Sequence, residues 1–386
     1  MNFKFVATTL YGLENILKDE IEAAGAENSR LLNRAVEFSG SLALMYKLNL
    51  SLRTALRILM HVKSFIVNNE DQLYHEVLKI EWETWFDGHH SFAVTPVVNS
   101  PGFRHSRYIA QKVKDAIADR FRKATGNRPS VNLKNPDVIV NIHIDDRKAD
   151  ISLDSSGTPL FKRGYRTATH QAALNEVLAA GLIKLAGWDY KNNCLYDPMC
   201  GSGTIAIEAA MMASNIFPGS FGRSYAFFNW KHFDENLFVA VKNRLPSPND
   251  MKYPVYASDI SADALIKAKA NIGNAGLQDK IKLSKIDFQA SSSPEKRGVI
   301  IMNPPYGERL SDQNTNQLYK QIGDTLKNKY TGFEAWIISP NADAMKCIGL
   351  HPEKKIQLMN GELKCRYQKF TIFEGSRKSR YKTDYK

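Results

Sequence analysis

The chain has 386 residues, of which 43% are hydrophobic and 24% are charged, a composition typical of globular proteins and long enough for two or three domains. Its longest apolar run, Val177–Ile183, is far shorter than the roughly 18–20 residues of a membrane span. Residues 1–10 lack the pattern of a signal peptide. The four cysteines form no C-x-x-C pair, which argues against zinc and against a disulfide framework. We therefore predict a cytoplasmic protein that uses no metal and no membrane.

The net charge of +12 favours a polyanionic partner, above all nucleic acid. The positive charge is concentrated in two segments. Residues 104–134 contain nine basic and two acidic side chains, and residues 364–386 contain eight basic and two acidic side chains. A solvated helix face is the commoner origin of one such cluster. Beside a site that modifies nucleic acid, the first cluster becomes a candidate RNA-binding surface. Its candidate residues are Arg104, Arg107, Lys112, Arg120, Arg122 and Lys123.

The first part of the chain predicts small α+β modules. Hydrophobic periodicity indicates strands at Asn2–Thr9, Ala35–Phe38 and Arg57–Val67, with helices Leu13–Ala24 and Ser41–Asn49 between them. This β-α-β-α-β order is followed by helix Asp71–Leu78, strand Phe92–Val98, helix Ser106–Thr125 and the hairpin Val138–Ile144 with Lys148–Asp154. We expect one or two modules here, followed by a linker near residues 157–166.

From about residue 167, helices and strands alternate. Helices are predicted at Gln171–Ala186, Ile205–Ala213 and Ser261–Asn271. Short apolar strands are predicted at Cys194–Tyr196, Val255–Ser258, Ile281–Lys285, Val299–Met302 and Ala335–Ser339. This alternation predicts an α/β domain with a doubly wound parallel sheet.

Residues 197–204 (DPMCGSGT) form a glycine-rich loop between a strand and a helix. Glycines there allow positive φ and close approach of a ligand to the backbone, and the helix start offers free N–H groups. The loop lacks the third glycine of the dinucleotide fingerprint and the lysine of a phosphate loop. It therefore suits a ligand without phosphates.

Two acidic residues follow the next two strands. Asp259 could accept hydrogen bonds from two ribose hydroxyls, although a role in capping the following helix is equally reasonable. Asp287 could accept from an adenine amino group while Phe288 packs on the ring, although a cap or turn is the commoner role for such a residue.

Asn303-Pro304-Pro305-Tyr306 follows an apolar strand directly. Two prolines make a stiff loop that continues neither helix nor strand. Such a loop could present the Asn303 side-chain oxygen and the Pro304 carbonyl to both hydrogens of an aromatic amino group, with Tyr306 stacked on the extracted base. A plain proline turn is the alternative, and the glycine loop about 100 residues earlier favours the functional interpretation.

Together, residues 197–204 and Asn303–Tyr306 resemble the class I S-adenosylmethionine-dependent amino-methyltransferases. The residues Arg163–Arg166 (RGYR), 174–180 (LNEVLAA) and Phe228-x-Trp230 extend the resemblance to the bacterial THUMP-domain methyltransferases, which methylate guanine N2 in large-subunit ribosomal RNA. The resemblance spans nearly the whole chain. It implies a Rossmann-like class I methyltransferase sheet in residues 167–386, preceded by a ferredoxin-like module (1–64), a THUMP domain (65–155) and a linker (156–166).

The resemblance also implies roles for individual residues. The S-adenosylmethionine pocket would be formed by Asp197, Cys200, Gly201, Gly203, Thr204, Asp259, Ile260, Asp287, Phe288 and Asn303. Within it, Asp197 and the glycines would border the methionine part, Asp259 the ribose, and Asp287 the adenine, while the Cys200 side chain would serve packing. The target guanine would be held by Asn303, Pro304, Pro305 and Tyr306. The THUMP domain would dock structured RNA, namely 23S ribosomal RNA or its assembly intermediate, and methyl transfer would be a direct in-line displacement.

Some alternatives stay open from the residues alone. The same four-residue motif occurs in adenine-N6 and protein-glutamine methyltransferases, and a transfer RNA guanine-N2 enzyme could share the whole domain order. An RNA-binding assembly factor without activity is a further possibility, against which the intact Asp197, Asp259, Asp287 and Asn303 argue. Ala173 departs from the proline usual in the family, and His170 is a weak candidate for a general base.

Overall fold

The computed structural model describes residues 2–167, 174–306 and 312–374. The chain divides into two compact units. The first contains the N-terminal strand, residues Leu17–Leu160 and the later segment Gly222–Leu245; the second contains Leu10–Ile16, Phe161–Phe221 and the chain from Pro246 onward. Among the described residues, no helix has both the length and the apolar character needed to cross a membrane.

The first unit is built on a seven-stranded sheet. Its strands are β1 (Phe3–Thr8), β2 (Glu27–Leu32), β3 (Ala35–Gly40), β4 (Arg57–Ile66), β5 (Phe92–Asn99), β6 (Val138–Asp145) and β7 (Lys148–Asp154). Its first four helices are α1 (Glu14–Ala23), α2 (Leu42–Ser51), α3 (Glu70–Leu78) and α4 (Ser106–Thr125). The strand order is β2-β3-β1-β4-β7-β6-β5. Antiparallel pairing of β4 with β7 makes the two halves one continuous sheet, and only β5 and β6 pair in parallel.

Helix α4 packs on this unit by one apolar stripe. Ile109, Val113, Ile117 and Phe121 recur at helical spacing and are at most 1% exposed. The helix ends at Gly126, whose φ of 74° is the left-handed C-terminal cap. The basic residues of α4 lie on the remaining faces, so the apolar period of the helix sets their orientation.

The second unit contains another seven-stranded sheet. Its strands are β8 (Cys194–Asp197), β9 (Val255–Asp259), β10 (Ile281–Lys285), β11 (Gly298–Met302), β12 (Phe333–Ser339), β13 (Lys354–Asn360) and β14 (Leu363–Thr371). Its helices are α5 (Glu176–Ala186), α6 (Thr204–Ala213), α8 (Ala262–Asn274), α9 (Asp312–Lys329) and α10 (Ala342–Cys347). The order is β10-β9-β8-β11-β12-β14-β13, with β14 antiparallel to both neighbours.

The parallel strands reverse their order between β8 and β11, which are neighbours in the sheet. Strands β9 and β10 extend from one side of β8, and β12 extends from the far side of β11. In open α/β sheets, ligands bind outside the carboxyl ends of the strands at such a switch point. The topology alone therefore directs attention to the loops after these strands.

The segment Gly222–Leu245 belongs to the first unit although it lies within the sequence predicted for the catalytic domain. Tyr225, Phe227 and Trp230 are buried in the core of that unit, and helix α7 (Glu235–Asn243) follows them. These aromatic residues therefore contribute to the core of the first unit.

Several predicted elements need correction. Strand β2 was not predicted, because its sequence ENSRLL is polar and has no regular alternation, so the true order is β-α-β-β-α-β. Helix α5 begins at Glu176, where the Asn175 side chain accepts from the backbone of Val177, rather than at Gln171, which lies outside the described residues. The sequence also gave no indication of strands β13 and β14, whose lysines and arginines obscure the apolar alternation.

Candidate active site

A cavity of about 400 Å³ lies at the carboxyl ends of β8, β9, β10 and β11. This volume falls in the range of small-molecule sites. The cavity is lined by Leu174, Asp197, Pro198, Met199, Cys200, Gly201, Ser202, Thr204, Ile205, Asp259, Ile260, Ser261, Ala264, Ile286, Asp287, Phe288, Gln289, Asn303, Pro305 and Leu318. Residues after four different strands therefore converge on one space.

The loop after β8 is shaped by its glycines. Gly201 and Gly203 have φ values of 53° and 83°, a region that residues with a Cβ rarely adopt. Gly203 occupies the cap position before α6. The backbone N–H of Cys200 donates to the carbonyl of Ser258 over 2.9 Å, which ties the loop to β9. The loop is thus fixed with its backbone against the cavity.

Asp259 braces this loop from the end of β9. Its Oδ2 accepts from the backbone N–H of Gly201 and its Oδ1 from that of Ser261, each over 2.9 Å. The cap of α8 is Ser261, whose side chain accepts from the N–H of Ala264. Asp259 is therefore not the cap itself. It orients the glycine loop, and it also lines the cavity with carboxylate lone pairs still available for a ligand.

Asp197 is a buried carboxylate whose charge the surrounding protein compensates only weakly. It is 1% exposed, and neither carboxylate oxygen has a hydrogen-bond partner among the described residues. Burial, and next the nearby Asp259 carboxylate, raise the pKa of Asp197 well above its usual range. Nearby backbone N–H groups oppose this effect without reversing it. An unpaired buried acid in a cavity wall is costly for a protein and fits a ligand that brings positive charge or N–H donors.

Asp287 and Phe288 follow β10. The Oδ1 of Asp287 accepts from the backbone N–H of Gln289 over 2.9 Å, so this residue caps a short 3-10 turn. Asp287 also lines the cavity, so both roles considered from the sequence are compatible. Phe288 is 2% exposed and stacks on Tyr330 at a ring distance of 5.2 Å. It supports the cavity wall as part of the core.

The loop after β11 brings the Asn-Pro-Pro-Tyr motif to the same cavity. Asn303 and Pro305 line it, and Oδ1 of Asn303 is buried with no hydrogen-bond partner among the described residues. Pro304 is buried. The hydroxyl of Tyr306 accepts a hydrogen bond from Nδ2 of Asn360 over 2.8 Å. The corner therefore presents one unused amide oxygen next to a tyrosine whose hydroxyl is held in place.

The charged side chains that line the cavity are all acidic. Among the described lining residues, three are aspartates, namely Asp197, Asp259 and Asp287, and none is lysine, arginine or histidine. The charged side chains of the lining therefore repel a phosphate-bearing ligand and attract a cationic one. Cys200 is buried beside two of these acids, and burial first, then their charges, raise the pKa of its thiol. The raised pKa keeps the thiol protonated, and the protonated thiol is the less reactive form.

The cavity brings together most of the residues predicted for it. Of the predicted set, Gly203, Pro304 and Tyr306 are not among the lining residues. Arg166 was not predicted as a site residue, yet its Nη2 donates to Thr204 Oγ1 over 2.8 Å and to the Leu174 carbonyl over 2.9 Å. Both of these residues line the cavity, so Arg166 holds two of its walls. Ala173 and His170 lie outside the described residues.

The candidate RNA-binding residues of the first unit fall into two groups. Lys112 pairs with Asp71 over 2.9 Å, Nε of Arg120 donates to Glu83 over 3.0 Å, and Arg122 pairs with Asp119 over 2.6 Å. Arg104, Arg107 and Lys123 are exposed and form no ion pair with any residue that the structure describes.

One group of possible metal donors occurs among the described residues, at Asp87, His89 and His90, whose donor atoms lie within 4.8 Å of one another. Asp87 is already paired with Lys231 over 2.7 Å. Nδ1 of His90 accepts from the Asp87 backbone N–H over 3.3 Å. Two of its three members are thus already engaged within the protein.

Three parts of the chain match known domain families, in order. Residues 4–59 match the RlmL ferredoxin-like domain, residues 67–154 the THUMP domain, and residues 163–369 the RMKL-like methyltransferase domain. The sheet order and the cavity at its switch point define a Rossmann-like methyltransferase. The chain belongs to the RMKL-like methyltransferase family, which confirms the predicted fold class and the resemblance seen in the sequence.

Individual relatives are similar over nearly all of the chain. It is 35% identical to slr0064 of Synechocystis sp., an RNA methyltransferase by name, over 96% of this chain and 97% of that protein. It is 37% identical to the ribosomal RNA large subunit methyltransferase K/L of Psychromonas ingrahamii, over 94% of this chain and 49% of that protein. The chain thus spans about half the length of the K/L relatives. The crystal structure of the methyltransferase SMU.472 complexed with SAH superimposes with a TM-score of 0.88 at 30% identity, over 97% of this chain and 99% of that one.

Proposed function

We propose that this protein uses S-adenosylmethionine to methylate the exocyclic N2 amine of a guanosine in 23S ribosomal RNA. The observation that carries the proposal is the cavity itself. Its described lining has three carboxylates, no basic residue, and side-chain oxygens of Asp197 and Asn303 that have no hydrogen-bond partner. The relatives named as ribosomal RNA large subunit methyltransferases support the choice of substrate.

The residues present fit this cofactor. S-adenosylmethionine supplies a methyl group bound to a positively charged sulfur, and its amino acid part carries an ammonium group. Asp197 would accept hydrogen bonds from that ammonium and gain a compensating charge. Asp259 would hold the ribose hydroxyls with the lone pairs that Gly201 and Ser261 leave free, and Ile260 and Asp287 would border the adenine.

The chain's own groups then act on the substrate amine. The lone pair of an aromatic amine is delocalised into the ring, so the nitrogen must become tetrahedral before it can attack. Asn303 Oδ1 and the Pro304 carbonyl would accept its two hydrogens and favour that geometry, while Tyr306 would stack on the base. Asn303 is neutral and takes no proton, so the proton lost after transfer passes to water. Catalysis by this corner is mainly positioning, which can contribute several kcal/mol.

In this proposal, RNA docking and methyl transfer belong to different parts of the chain. The modules that dock structured RNA are the ferredoxin-like module, residues 1–64, and the THUMP domain, residues 65–155. A linker, residues 156–166, connects these modules to the domain that carries the chemistry, residues 167–386. The segment Gly222–Leu245 is an insertion that contributes to the first unit. Ribosomal RNA as substrate places the activity in the cytoplasm.

The test is the transfer of labelled methyl groups to ribosomal and transfer RNA from cells that lack the protein. The modified nucleoside is then identified by mass spectrometry after digestion. We expect N2-methylguanosine at one position of 23S ribosomal RNA. Methylation of transfer RNA instead, of adenine N6, or of neither RNA would each reject the proposed substrate, and failure to bind S-adenosylmethionine would leave only the RNA-binding assembly role.

A further inference from the structure

The hairpin of β13 and β14 ends beside the proposed target corner. Asn360 and Leu363 face each other across its turn. The Nδ2 of Asn360 donates to the hydroxyl of Tyr306 over 2.8 Å. The tip of the hairpin, Asn360–Arg366, is therefore in direct contact with the motif that is proposed to hold the base.

The two faces of this hairpin differ in character. Leu358, Cys365 and Tyr367 point inward and are at most 1% exposed. Because side chains alternate along a strand, Lys364 and Arg366 share the opposite face, and both are exposed. Leu363, at the turn, is 48% exposed. The tip thus combines two cations, one exposed carboxylate, Glu362, and one apolar side chain in solvent, and its net charge is positive.

The cations at the tip are not used within the fold. Neither Lys364 nor Arg366 forms an ion pair within the part of the chain that the structure describes. By contrast, Lys369 of the same strand pairs with Glu334 over 2.7 Å. Arg366 contributes to lowering the pKa of the Asp343 carboxyl, but the ion pair of Asp343 is with Lys346 over 2.6 Å. The tip therefore keeps positive charge for a polyanion.

We propose that the hairpin tip binds the RNA strand next to the nucleotide whose base enters the corner of Asn303 and Tyr306. Lys364 and Arg366 would contact phosphates on either side of the extracted nucleotide, and Leu363 would pack against a neighbouring sugar or base. Taking a base out of its stack costs free energy, and contacts on the adjoining backbone are suited to offset that cost. This inference rests on the proposed function and adds to it the surface that positions the substrate strand.

The test compares two variants of the full chain that lose equal charge from the same hairpin. K364Q/R366Q removes the charge at the tip. K354Q/K355Q removes it at the opposite end, where Lys354 pairs with Lys369 in the strand register. For each variant, filter binding to deproteinised 23S ribosomal RNA gives Kd over a range of salt concentrations. Calorimetry with S-adenosylhomocysteine serves as a check that the cavity is intact.

We expect the tip variant to bind RNA several-fold more weakly. The slope of log Kd against log salt should fall by about 1.5, as two single-strand phosphate contacts predict. The control should keep the wild-type slope, and both should keep wild-type affinity for the nucleoside. The inference is overturned if the tip variant keeps the wild-type affinity and salt slope, or if the two variants change equally in both. Methylation assays on the same RNA are read separately: wild-type protein that binds RNA but transfers no methyl group rejects the proposed function, while the binding slopes still decide the role of the hairpin.

Discussion

Arg163 and Glu208 form an ion pair in which both side chains are completely buried. Nε of Arg163 donates to Oε1 of Glu208 over 3.2 Å, and Nη2 lies 3.5 Å from Oε2. The hydroxyl of Tyr165 also donates to Oε1 over 3.2 Å. Glu208 lies on α6, the helix that begins at the glycine loop of the cavity. Arg163 and Tyr165 therefore hold the helix that follows the glycine loop, and neither residue lines the cavity.

Breaking this pair from one side should destabilise the second unit strongly. Arg163→Met leaves the Glu208 carboxylate buried with too few partners, a change that typically costs about 3–5 kcal/mol. The double variant Arg163→Met/Glu208→Met should recover much of that loss, because no buried charge remains. Calorimetric unfolding of the three proteins measures the difference. As a control, Lys346→Met breaks the exposed pair with Asp343 and should cost under about 0.5 kcal/mol; a comparable cost there would contradict the argument.

Asp197 should link cofactor binding to pH. Its pKa in the empty cavity is raised by burial and by Asp259, so the folded protein favours the protonated carboxyl. The stability that protonated Asp197 contributes is fully present below the ordinary pKa of a carboxyl group. It is lost as pH rises towards the raised pKa of Asp197. Asp197→Asn should therefore have a higher melting temperature than wild type at neutral pH. Its melting temperature should also decline less than that of wild type as pH increases. Thermal melts of the unliganded proteins across this range test the sign.

The same residue should make binding stronger as pH rises, because a cationic ligand requires the ionised carboxylate. Asp197→Asn should lose affinity for S-adenosylhomocysteine by about 10–100-fold, the value of a hydrogen bond to a charged group. Its affinity should also no longer depend on pH. Titration calorimetry at several pH values measures both effects. Asp250→Asn, at an exposed aspartate, is the matched control and should behave as wild type.

The sequence was sufficient to predict which loops meet at the cavity, because their signals are local. Glycines in residues 197–204 and prolines after Asn303 mark where strands end, and parallel strands bring their carboxyl ends to one edge of the sheet. What the sequence could not indicate depends on partners far along the chain. Lys112 and Asp71 are 41 residues apart, and Arg120 and Glu83 are 37 apart, so neither pair follows from periodicity.

The same limit applies to the aromatic segment Gly222–Leu245. Its residues Tyr225, Phe227 and Trp230 are plainly apolar, but nothing in the local pattern states which core they enter. Strand β2 was missed for the opposite reason, since its side chains are mostly exposed and polar. Tertiary packing, rather than local propensity, determined both.

Asn303→Ala should separate catalysis from cofactor binding. The proposed role of its Oδ1 is to accept a hydrogen from the substrate amine, so methyl transfer should fall by about 100-fold or more, the usual effect of removing one group that stabilises a transition state. Affinity for S-adenosylhomocysteine should change by less than about threefold. The melting temperature should not fall, because the variant removes a buried oxygen without a partner. Equal loss of transfer and of nucleoside affinity would contradict the assigned role. Asn192→Ala, on an exposed turn, is the control.

The basic residues of α4, together with Arg104 just before the helix, can be divided by their ion pairs into two groups for a test. Arg104, Arg107 and Lys123 keep their charge for a ligand, whereas the charges of Lys112, Arg120 and Arg122 are compensated by Asp71, Glu83 and Asp119.

Replacing the first three residues by glutamine should weaken binding to 23S ribosomal RNA and lower the salt slope by about two or more, as three phosphate contacts predict. Replacing the second three removes the same formal charge but should change the slope much less, since each of those cations already has a carboxylate partner. Filter binding at matched salt concentrations compares the two variants directly. Equal slopes for both would mean that RNA responds to the total charge of the helix, and would remove Arg104, Arg107 and Lys123 as specific contacts.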